Sequence, residues 1–412
     1  GQKLIVRMLT NEYERAAREH VPSSQAGYGS RRSTLEQVLV LRLAQQQAKI
    51  KGTDLYIGFQ DYSCYFMKCI HEITHEITRA TGVDPAVDAV MKELHTEVTG
   101  KYETYWGLTQ GFKIRRGLGQ GCVAAATRSK IVGAVTQKAI SKIAKGISFT
   151  AAEGSVPVLS FADDQTFTCT DHNSLQLAYD TSYIIAKICG LTIKIKTGKQ
   201  GQNLGTAYMA TRHVNGKSYD IPGKIILPNG QRIPQILAGT PPDAPKKAKY
   251  NRKRNHTHND ITPHNHHTIT RRYKYLGEVF TPSATHSLEL ARDDSCNKTI
   301  RVLQVTSKLK RLTHEQLREI MDVEIAGNVG FHGRSMPLRM KDCTAIENAR
   351  IEALKQAGHT HGNPKAQVYE SEDNLGMAHT HAYTVAAAGL IDQIDKALSG
   401  PTHAPVRIAV ES

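Results

Sequence analysis

Alternating hydrophobic and polar residues predict a short β-strand over residues 55–61. Leu55, Ile57 and Phe59 would share one face of this strand, and Asp61 follows on the same face. Burying a carboxylate without a partner costs free energy, so we predict that Asp61 meets a cation.

A second apolar run, residues 156–162, predicts another strand. The run breaks at Asp163 and Asp164, and residues 165–170 continue with side chains that favour strands. An apolar strand, a short polar break and a second strand are typical of a β-hairpin, so two acids are predicted at its tip. For this pair taken alone, ordinary turn formation by Asp is the alternative explanation.

Capping residues and helical periodicity predict most of the other regular structure. A capping box of Ser33 and Glu36 begins a helix over about 34–48. A second box, Thr313 with Gln316, begins another helix. Further helices are predicted from Asp84-Pro85, over about 175–189 and over about 384–398.

The chain changes character between about residues 203 and 272. Turn-forming residues surround a basic run and a His-rich run at about 240–270. The basic run suits a nucleic-acid-contacting patch, a nuclear localisation signal or a solvated loop. The histidines suit a metal site or, as we prefer, a solvated insert.

Composition narrows the class of protein. The 412 residues include 40% hydrophobic side chains, which supports a packed core and excludes a disordered chain. The length predicts more than one subdomain. Lys and Arg exceed Asp and Glu by 53 to 38, for a net charge of +15. This charge suits a polyanionic partner such as nucleic acid, although it also suits mere solubility.

Cysteine usage and apolar runs bear on location. Seven scattered cysteines predict reduced thiols in the nucleus or cytoplasm, not a secreted disulfide scaffold. No apolar run is long enough to span a membrane. The chain starts without Met or a signal peptide, and we interpret it as a piece of a longer product.

The three acids Asp61, Asp163 and Asp164 follow strands that one sheet would bring together. Two-metal phosphoryl transfer needs carboxylates from separate strands around ions about 4 Å apart. Mg²⁺ prefers such oxygen ligands, and Mn²⁺ is the alternative. The acids therefore predict a two-metal site.

Five segments in order resemble the sequence boxes of reverse transcriptases, especially those of non-LTR (LINE-type) retrotransposons. They are residues 59–66 (FQDYSCYF, motif A), 116–122 (RGLGQGC, motif B), 161–164 (FADD, motif C), 190–193 (GLTI, motif D, followed by lysines) and 273–277 (YKYLG, primer grip). Upstream, residues 25–28 (QAGY) and 32–34 (RST) resemble the fingers segment. The resemblance covers about residues 1–340.

The resemblance implies a role for individual residues. Asp61 and Asp163 would bind both metal ions, and Asp164 would complete the acidic site. Phe66 would be the steric gate that favours dNTPs. The other implied residues are Gln120 and Gly121 in the nucleotide pocket, Lys199 or Lys196 as general acid, Arg31 and Arg32 at the triphosphate, and Tyr275, Leu276 and Gly277 in the primer grip.

Two departures from the family pattern support an alternative function. Met67 stands where motif A usually has a second acid, and residues 123–126 (VAAA) replace the usual Pro-Leu-Ser-Pro. We expect reduced activity from the first change. The alternative is a decayed or repurposed protein of this fold that binds nucleic acid without copying it.

Residues 71–75 (HEITH) match the H-E-x-x-H pattern of zinc proteases, with Glu93 as a candidate third ligand. The longer form of the pattern fails because Thr78 stands where glycine is required. The family often has His-Glu just after motif A, which explains His71 and Glu72 without zinc.

Together these features predict an α+β fold, the polymerase right hand with an antiparallel palm sheet and a helical thumb. The predicted divisions are 1–53 (partial fingers), 54–282 (palm), 283–400 (helical thumb or connection) and 401–412 (tail). The resemblance implies an RNA-directed DNA polymerase that uses an RNA template, a DNA primer and dNTPs. The oligomeric state stays open.

Overall fold

A computed structural model of the chain describes residues 2–29, 32–95, 98–119, 122–149, 155–195, 205–237, 272–309, 312–358 and 379–399. The basic run, the His-rich run, the tail 401–412 and five site candidates lie outside these ranges, namely Arg31, Gln120, Gly121, Lys196 and Lys199.

The helices and strands follow one another along the described residues. The helices are α1 (Gln2–His20), α2 (Thr34–Lys51), α3 (Tyr65–Lys68), α4 (His71–Ala80), α5 (Pro85–His95), α6 (Ala125–Ile143), α7 (His172–Ile188), α8 (Ala284–Thr306), α9 (His314–Glu324), a π-helical turn (Ile325–Val329), α10 (Gly330–Gly333), α11 (Met340–Gln356) and α12 (Ala382–Ser399). The strands are β1 (Leu55–Gln60), β2 (Thr99–Gly100), β3 (Glu103–Thr104), β4 (Gly107–Leu108), β5 (Phe112–Lys113), β6 (Val158–Phe161), β7 (Asp164–Cys169), β8 (Ala207–Val214), β9 (Lys217–Asp220), β10 (Ile225–Ile226), β11 (Arg232–Ile233), β12 (Tyr273–Tyr275) and β13 (Glu278–Phe280).

A five-stranded antiparallel sheet, ordered β6-β7-β1-β8-β9, lies at the centre of the fold. The strand predicted from alternation is its middle strand, β1, and all six β1 residues are buried. Leu55, Ile57 and Phe59 pack into one core together with α2, whereas Tyr56 packs into another core with α7. The predicted common face of the three apolar residues is therefore confirmed.

Strand β8 lies in a stretch where the sequence showed turn-forming residues and where no individual strand was predicted. Its first five residues pair with β1, with Ala207 opposite Phe59 and Thr211 opposite Leu55. Its sequence, AYMATRHV, mixes alanines with polar residues, and five consecutive residues are buried. A strand covered on both faces shows little alternation, which is why the pattern gave no signal.

The predicted capping boxes are confirmed. The Ser33 N–H donates to Glu36 Oε1 at 2.8 Å at the start of α2. The Gln316 N–H donates to Thr313 Oγ1 at 3.3 Å at the start of α9. Helix α2 shares a core with the sheet, so the division at residue 53 does not separate two hydrophobic cores.

The described part of the segment predicted as a thumb is helical and has a core of its own. A buried cluster joins it to the rest of the chain. Arg42 Nη2, on α2, donates to Glu278 Oε2 at 2.6 Å. His332, on α10, contacts the other oxygen of the same carboxylate, and Ser335 Oγ lies 3.3 Å from that oxygen. Three parts of the chain therefore meet at one carboxylate.

Candidate active site

The sheet brings the predicted acids together. Gln60 lies opposite Gln165 in the β1–β7 pair, so Asp61, the next residue, emerges beside the start of β7. Phe161 lies opposite Asp164 in the β6–β7 hairpin, which leaves Ala162 and Asp163 as its two-residue turn. The predicted hairpin with acids at its tip is confirmed.

The acid turn has an unusual backbone and a long-range clamp. Ala162 has φ 58°, a left-handed conformation that costs a non-glycine residue about 1 kcal/mol or more. The Ala162 N–H donates to Gln25 Oε1 at 3.0 Å, and Gln25 Nε2 donates to the Ala162 carbonyl at 3.1 Å. A Cβ at Gly27 would lie 2.1 Å from the Ala162 nitrogen, so only glycine fits there. The family-like segment 25–28 therefore holds the turn, a role that sequence patterns did not reveal.

Crowding of the acids shows in their proton affinities. Burial, with the charges of Asp163 and Asp61, raises the pKa of Asp164 to about 7. Burial and the charge of Asp61 likewise raise the pKa of Asp163. The ammonium group of Lys194 opposes both shifts. The site thus concentrates negative charge that a cation would stabilise.

These shifts predict how stability depends on pH without added metal. The folded-state pKa of Asp164 lies above the unfolded value of about 3.9, so its contribution is present at low pH and lost as pH rises to about 7. We expect the free energy of unfolding to fall over this window, by at most about 1.4 kcal/mol per pH unit from this group, and to fall less in Asp164→Asn. Urea unfolding at a series of pH values measures both slopes. Parallel profiles would contradict the prediction.

Lys194 is the cation that Asp61 meets. Its Nζ lies 2.7 Å from Asp61 Oδ2. The backbone N–H of Lys194 donates to the Asp61 carbonyl at 2.9 Å, and the backbone carbonyl of Lys194 accepts from the Thr206 N–H at 2.8 Å. Sequence reasoning predicted a cation at Asp61 but assigned the motif D chemistry to Lys199 or Lys196. The available signal was Lys194 itself. It follows the GLTI segment, at the position where the reverse-transcriptase pattern that this segment resembles, G-L-x-I-N, has asparagine.

The predicted gate residue Phe66 stands in an aromatic wall beside the acids. Its ring centroid lies 6.3 Å from that of Tyr28 and 5.7 Å from that of Tyr65. Burial and the charge of Asp163 raise the pKa of Tyr28, which places this wall within the field of the acids. Met67, the departure in motif A, is 56% exposed. The gate role of Phe66 stays a prediction.

The predicted primer-grip residues form a tight hairpin against the same sheet. Leu276 and Gly277 are its two turn residues, with φ of 47° and 91°, as expected for a turn of type I′. Tyr275 is buried, and the neighbouring Tyr273 ring stacks on Phe59 with centroids 4.1 Å apart. The charges of Asp164 and Asp61 add to the effect of burial in raising the pKa of Tyr273. The hairpin is therefore close to the acids, while its contact with a primer stays a prediction.

Arg32 has partners within the protein. Its Nε donates to Glu36 Oε2 at 2.5 Å, and its Nη2 donates to the Ser23 carbonyl at 2.8 Å. These contacts join Arg32 to the start of α2. A contact with a triphosphate stays a prediction for this residue.

The H-E-x-x-H residues lie on α4, as predicted, but face other partners. His71 Nε2 contacts the Gly117 carbonyl at 2.6 Å, and His75 Nδ1 contacts Asp88 Oδ1 at 3.0 Å. The buried guanidinium of Arg128 contacts His75 Nε2 at 3.3 Å and His95 Nδ1 at 3.1 Å. Both histidines of the pattern therefore have partners within the protein in place of a metal, and the contact between Arg128 and His75 joins α6 to α4.

Across the described ranges, no three His, Cys, Asp or Glu side chains are arranged to hold a metal ion. At the acids, Lys194 supplies the positive charge. The donor chemistry nevertheless suits a divalent cation, because carboxylate oxygens are its preferred ligands. Burial, together with the charges of Asp163 and Asp61, raises the pKa of Asp164 to about 7, and a bound cation would favour the ionised carboxylate. Binding of a metal ion by Asp61, Asp163 and Asp164 would need these side chains to rearrange, with Lys194 turned away from Asp61, and it stays a prediction.

Comparison with known proteins finds similarity to solved structures. No family model matches the chain, and no curated protein matches it. The chain is similar to telomerase from Candida tropicalis with a TWJ fragment of telomeric RNA (12% identity, TM-score 0.40, 98% of this chain and 56% of that one). It is also similar to apo telomerase from the same organism (10% identity, TM-score 0.40, 98% of this chain and 59% of that one). A third similar structure is telomerase from Candida albicans with a TWJ fragment of telomeric RNA (10% identity, TM-score 0.35, 99% of this chain and 56% of that one). The chain spans under two thirds of these proteins, and similarity of this size does not assign a function.

No helix of the described residues is both long enough and apolar enough to cross a membrane.

Proposed function

We propose that this chain is the core of an RNA-directed DNA polymerase of the non-LTR retrotransposon type, which transfers a nucleotide from a dNTP to a primer 3′-OH. One observation supports the proposal above the others. The register of β1 and β7 brings Asp61 beside the Asp163–Asp164 turn, so acids about 100 positions apart in sequence share one electrostatic site.

In this proposal, individual residues of the chain have separate roles. Asp61, Asp163 and Asp164 would hold two Mg²⁺ ions, which when bound activate the primer hydroxyl and stabilise the leaving pyrophosphate. Phe66 would exclude a ribose 2′-OH, and the hairpin of Tyr275 would hold the primer end. The remaining proposed contacts are Gln120 and Gly121 with the nucleotide, Lys199 with pyrophosphate and Arg32 with the triphosphate.

Primer extension tests the proposal. We expect wild type to extend oligo(dT) on oligo(rA) with dTTP and Mg²⁺, and Asp61→Asn to lose at least about a hundredfold in rate. Asp54→Asn is the matched control, because Asp54 precedes β1 as Asp61 follows it and pairs with Arg212 at 2.9 Å. Melting curves with and without Mg²⁺ add a readout independent of turnover, with metal stabilising wild type and not Asp61→Asn. No extension by folded wild type, together with none by a folded Lys194→Asn variant, would contradict the proposal.

The ion pair between Lys194 and Asp61 favours a second candidate, a protein of this fold that binds RNA without copying it. Lys194 already neutralises part of the acid site without metal. The second candidate predicts salt-dependent RNA binding with no Mg²⁺-dependent extension, either by wild type or by Lys194→Asn, which restores the family residue. Extension by Lys194→Asn alone would instead indicate a polymerase weakened at this position.

A further inference from the structure

A β-ribbon of residues 98–114, the aromatic ribbon, projects between α5 and α6. Its inner pair is β2 with β5, where Thr99 lies opposite Lys113, and its outer pair is β3 with β4, where Thr104 lies opposite Gly107. The Ile114 N–H donates to the Val98 carbonyl at 2.8 Å and closes its base. None of the functions proposed above uses this ribbon.

The aromatic side chains of the ribbon lie in solvent. Tyr105 and Trp106, at the tip, are 95% and 91% exposed, with ring centroids 5.7 Å apart. Tyr102 stacks on Phe112 at 5.0 Å, and both rings remain accessible. Exposed aromatic rings grouped in this way mark an interaction surface.

The charges around these rings point to a polyanion. Between residues 98 and 116 the basic side chains are Lys101, Lys113, Arg115 and Arg116, and Glu103 is the one acid. Protein–protein interfaces are depleted in lysine at their centre. Aromatic rings among basic groups are instead typical of surfaces that bind single-stranded nucleic acid by base stacking and phosphate contacts.

The base of the ribbon adjoins the candidate active site. The Gly117 N–H donates to the Cys69 carbonyl at 2.8 Å, and the Leu118 N–H donates to the Phe66 carbonyl at 2.7 Å. Phe66 belongs to the aromatic wall beside the acids. A strand held by the ribbon would therefore lead towards the place where copying is proposed.

We propose that the aromatic ribbon binds the single-stranded RNA template, with Tyr105 and Trp106 stacking on unpaired bases and the neighbouring basic residues contacting phosphates. The assignment to the template strand rests on the proposed polymerase function. Stacking needs open base faces, so an RNA duplex would not bind in this way. The ribbon is exposed, so its rings can be changed with little effect on the packed core.

Trp106 provides a direct test because it is the only tryptophan in the chain. With excitation selective for tryptophan, we expect oligo(rA) to quench the fluorescence of the full chain saturably, without metal or dNTP. The affinity should fall steeply with salt. Tyr105→Ala keeps the fluorophore and should weaken binding about tenfold. Tyr219→Ala is the matched control, since Tyr219 is an exposed tyrosine on β9.

Each outcome separates the ribbon from the polymerase proposal. Quenching without primer extension supports RNA binding by the ribbon and counts against the polymerase proposal. Primer extension without quenching overturns the proposed role of the ribbon. Unchanged affinity in Tyr105→Ala, or equal losses in Tyr105→Ala and Tyr219→Ala, would also overturn it. Tenfold tighter binding of oligo(dA) than of oligo(rA), or quenching by a duplex as strong as by the single strand, would refute the template assignment.

Discussion

Replacing Asp163 with asparagine should abolish primer extension while making the folded protein more stable. Asp163 is the acid in the turn, and the proposed metal site loses a charged ligand in the variant. We expect the rate to fall at least about a thousandfold, which corresponds to about 4 kcal/mol of transition-state stabilisation. Because burial and Asp61 outweigh the interactions that favour the ionised form of Asp163, the neutral amide should increase the free energy of unfolding at neutral pH.

A variant that loses activity while it gains stability shows that the lost activity is not due to unfolding. Asp180→Asn is the control, because burial also raises the pKa of Asp180, which lies on α7 and accepts from Gln176 Nε2 at 2.9 Å. That variant should keep its extension rate. Extension by Asp163→Asn within tenfold of wild type would exclude Asp163 from the reaction. A marked loss of stability would show that the carboxylate has a structural partner.

Glu278→Ala should cause the largest loss of stability among the single changes considered. Glu278 is fully buried between Arg42 and His332, and its removal leaves the Arg42 guanidinium, itself 5% exposed, without that carboxylate. Burial opposes ionisation of Glu278, yet His332 and Arg42 outweigh it and hold its pKa below the ordinary value. Breaking a buried ion pair costs about 3–5 kcal/mol, and we expect that loss in urea unfolding.

Two further variants test the cause of that loss. Glu289→Ala removes an exposed carboxylate 3.8 Å from His286 and should change stability by less than about 0.5 kcal/mol. The double variant Arg42→Met with Glu278→Leu removes both charges, so it should recover much of the stability lost in Glu278→Ala. A double variant as unstable as the single one would show that packing at Glu278 matters more than its charge.

The acids could be predicted from sequence because their positions depend on local rules. Alternation predicts the strand that Asp61 directly follows, and a two-residue turn fixes the place of Asp163 and Asp164. The capping boxes at Ser33 and Thr313 are equally local. Such features leave a pattern in neighbouring residues, and the structure confirms them.

Other parts of the site depend on contacts that leave no local pattern. The clamp by Gln25 joins a side-chain amide to a backbone 137 positions away. Arg128 meets His75 and His95 across three helices, so a matching H-E-x-x-H pattern could not reveal that the site was taken. Strand β8 is covered on both faces and lacks alternation. Each of these outcomes was decided by tertiary packing.

The clamp on the acid turn has a consequence for how the arrangement of the three acids forms as the chain folds. The two-residue turn places Ala162 in a left-handed conformation that a non-glycine residue disfavours, and Gln25, from a distant part of the chain, holds it there. Closing such a long loop becomes favourable only when much of the intervening chain has already packed. In a partly folded chain the three acids are therefore present but not yet arranged as a site. We expect segment 24–27 to open and the acid turn to be lost in a single cooperative event.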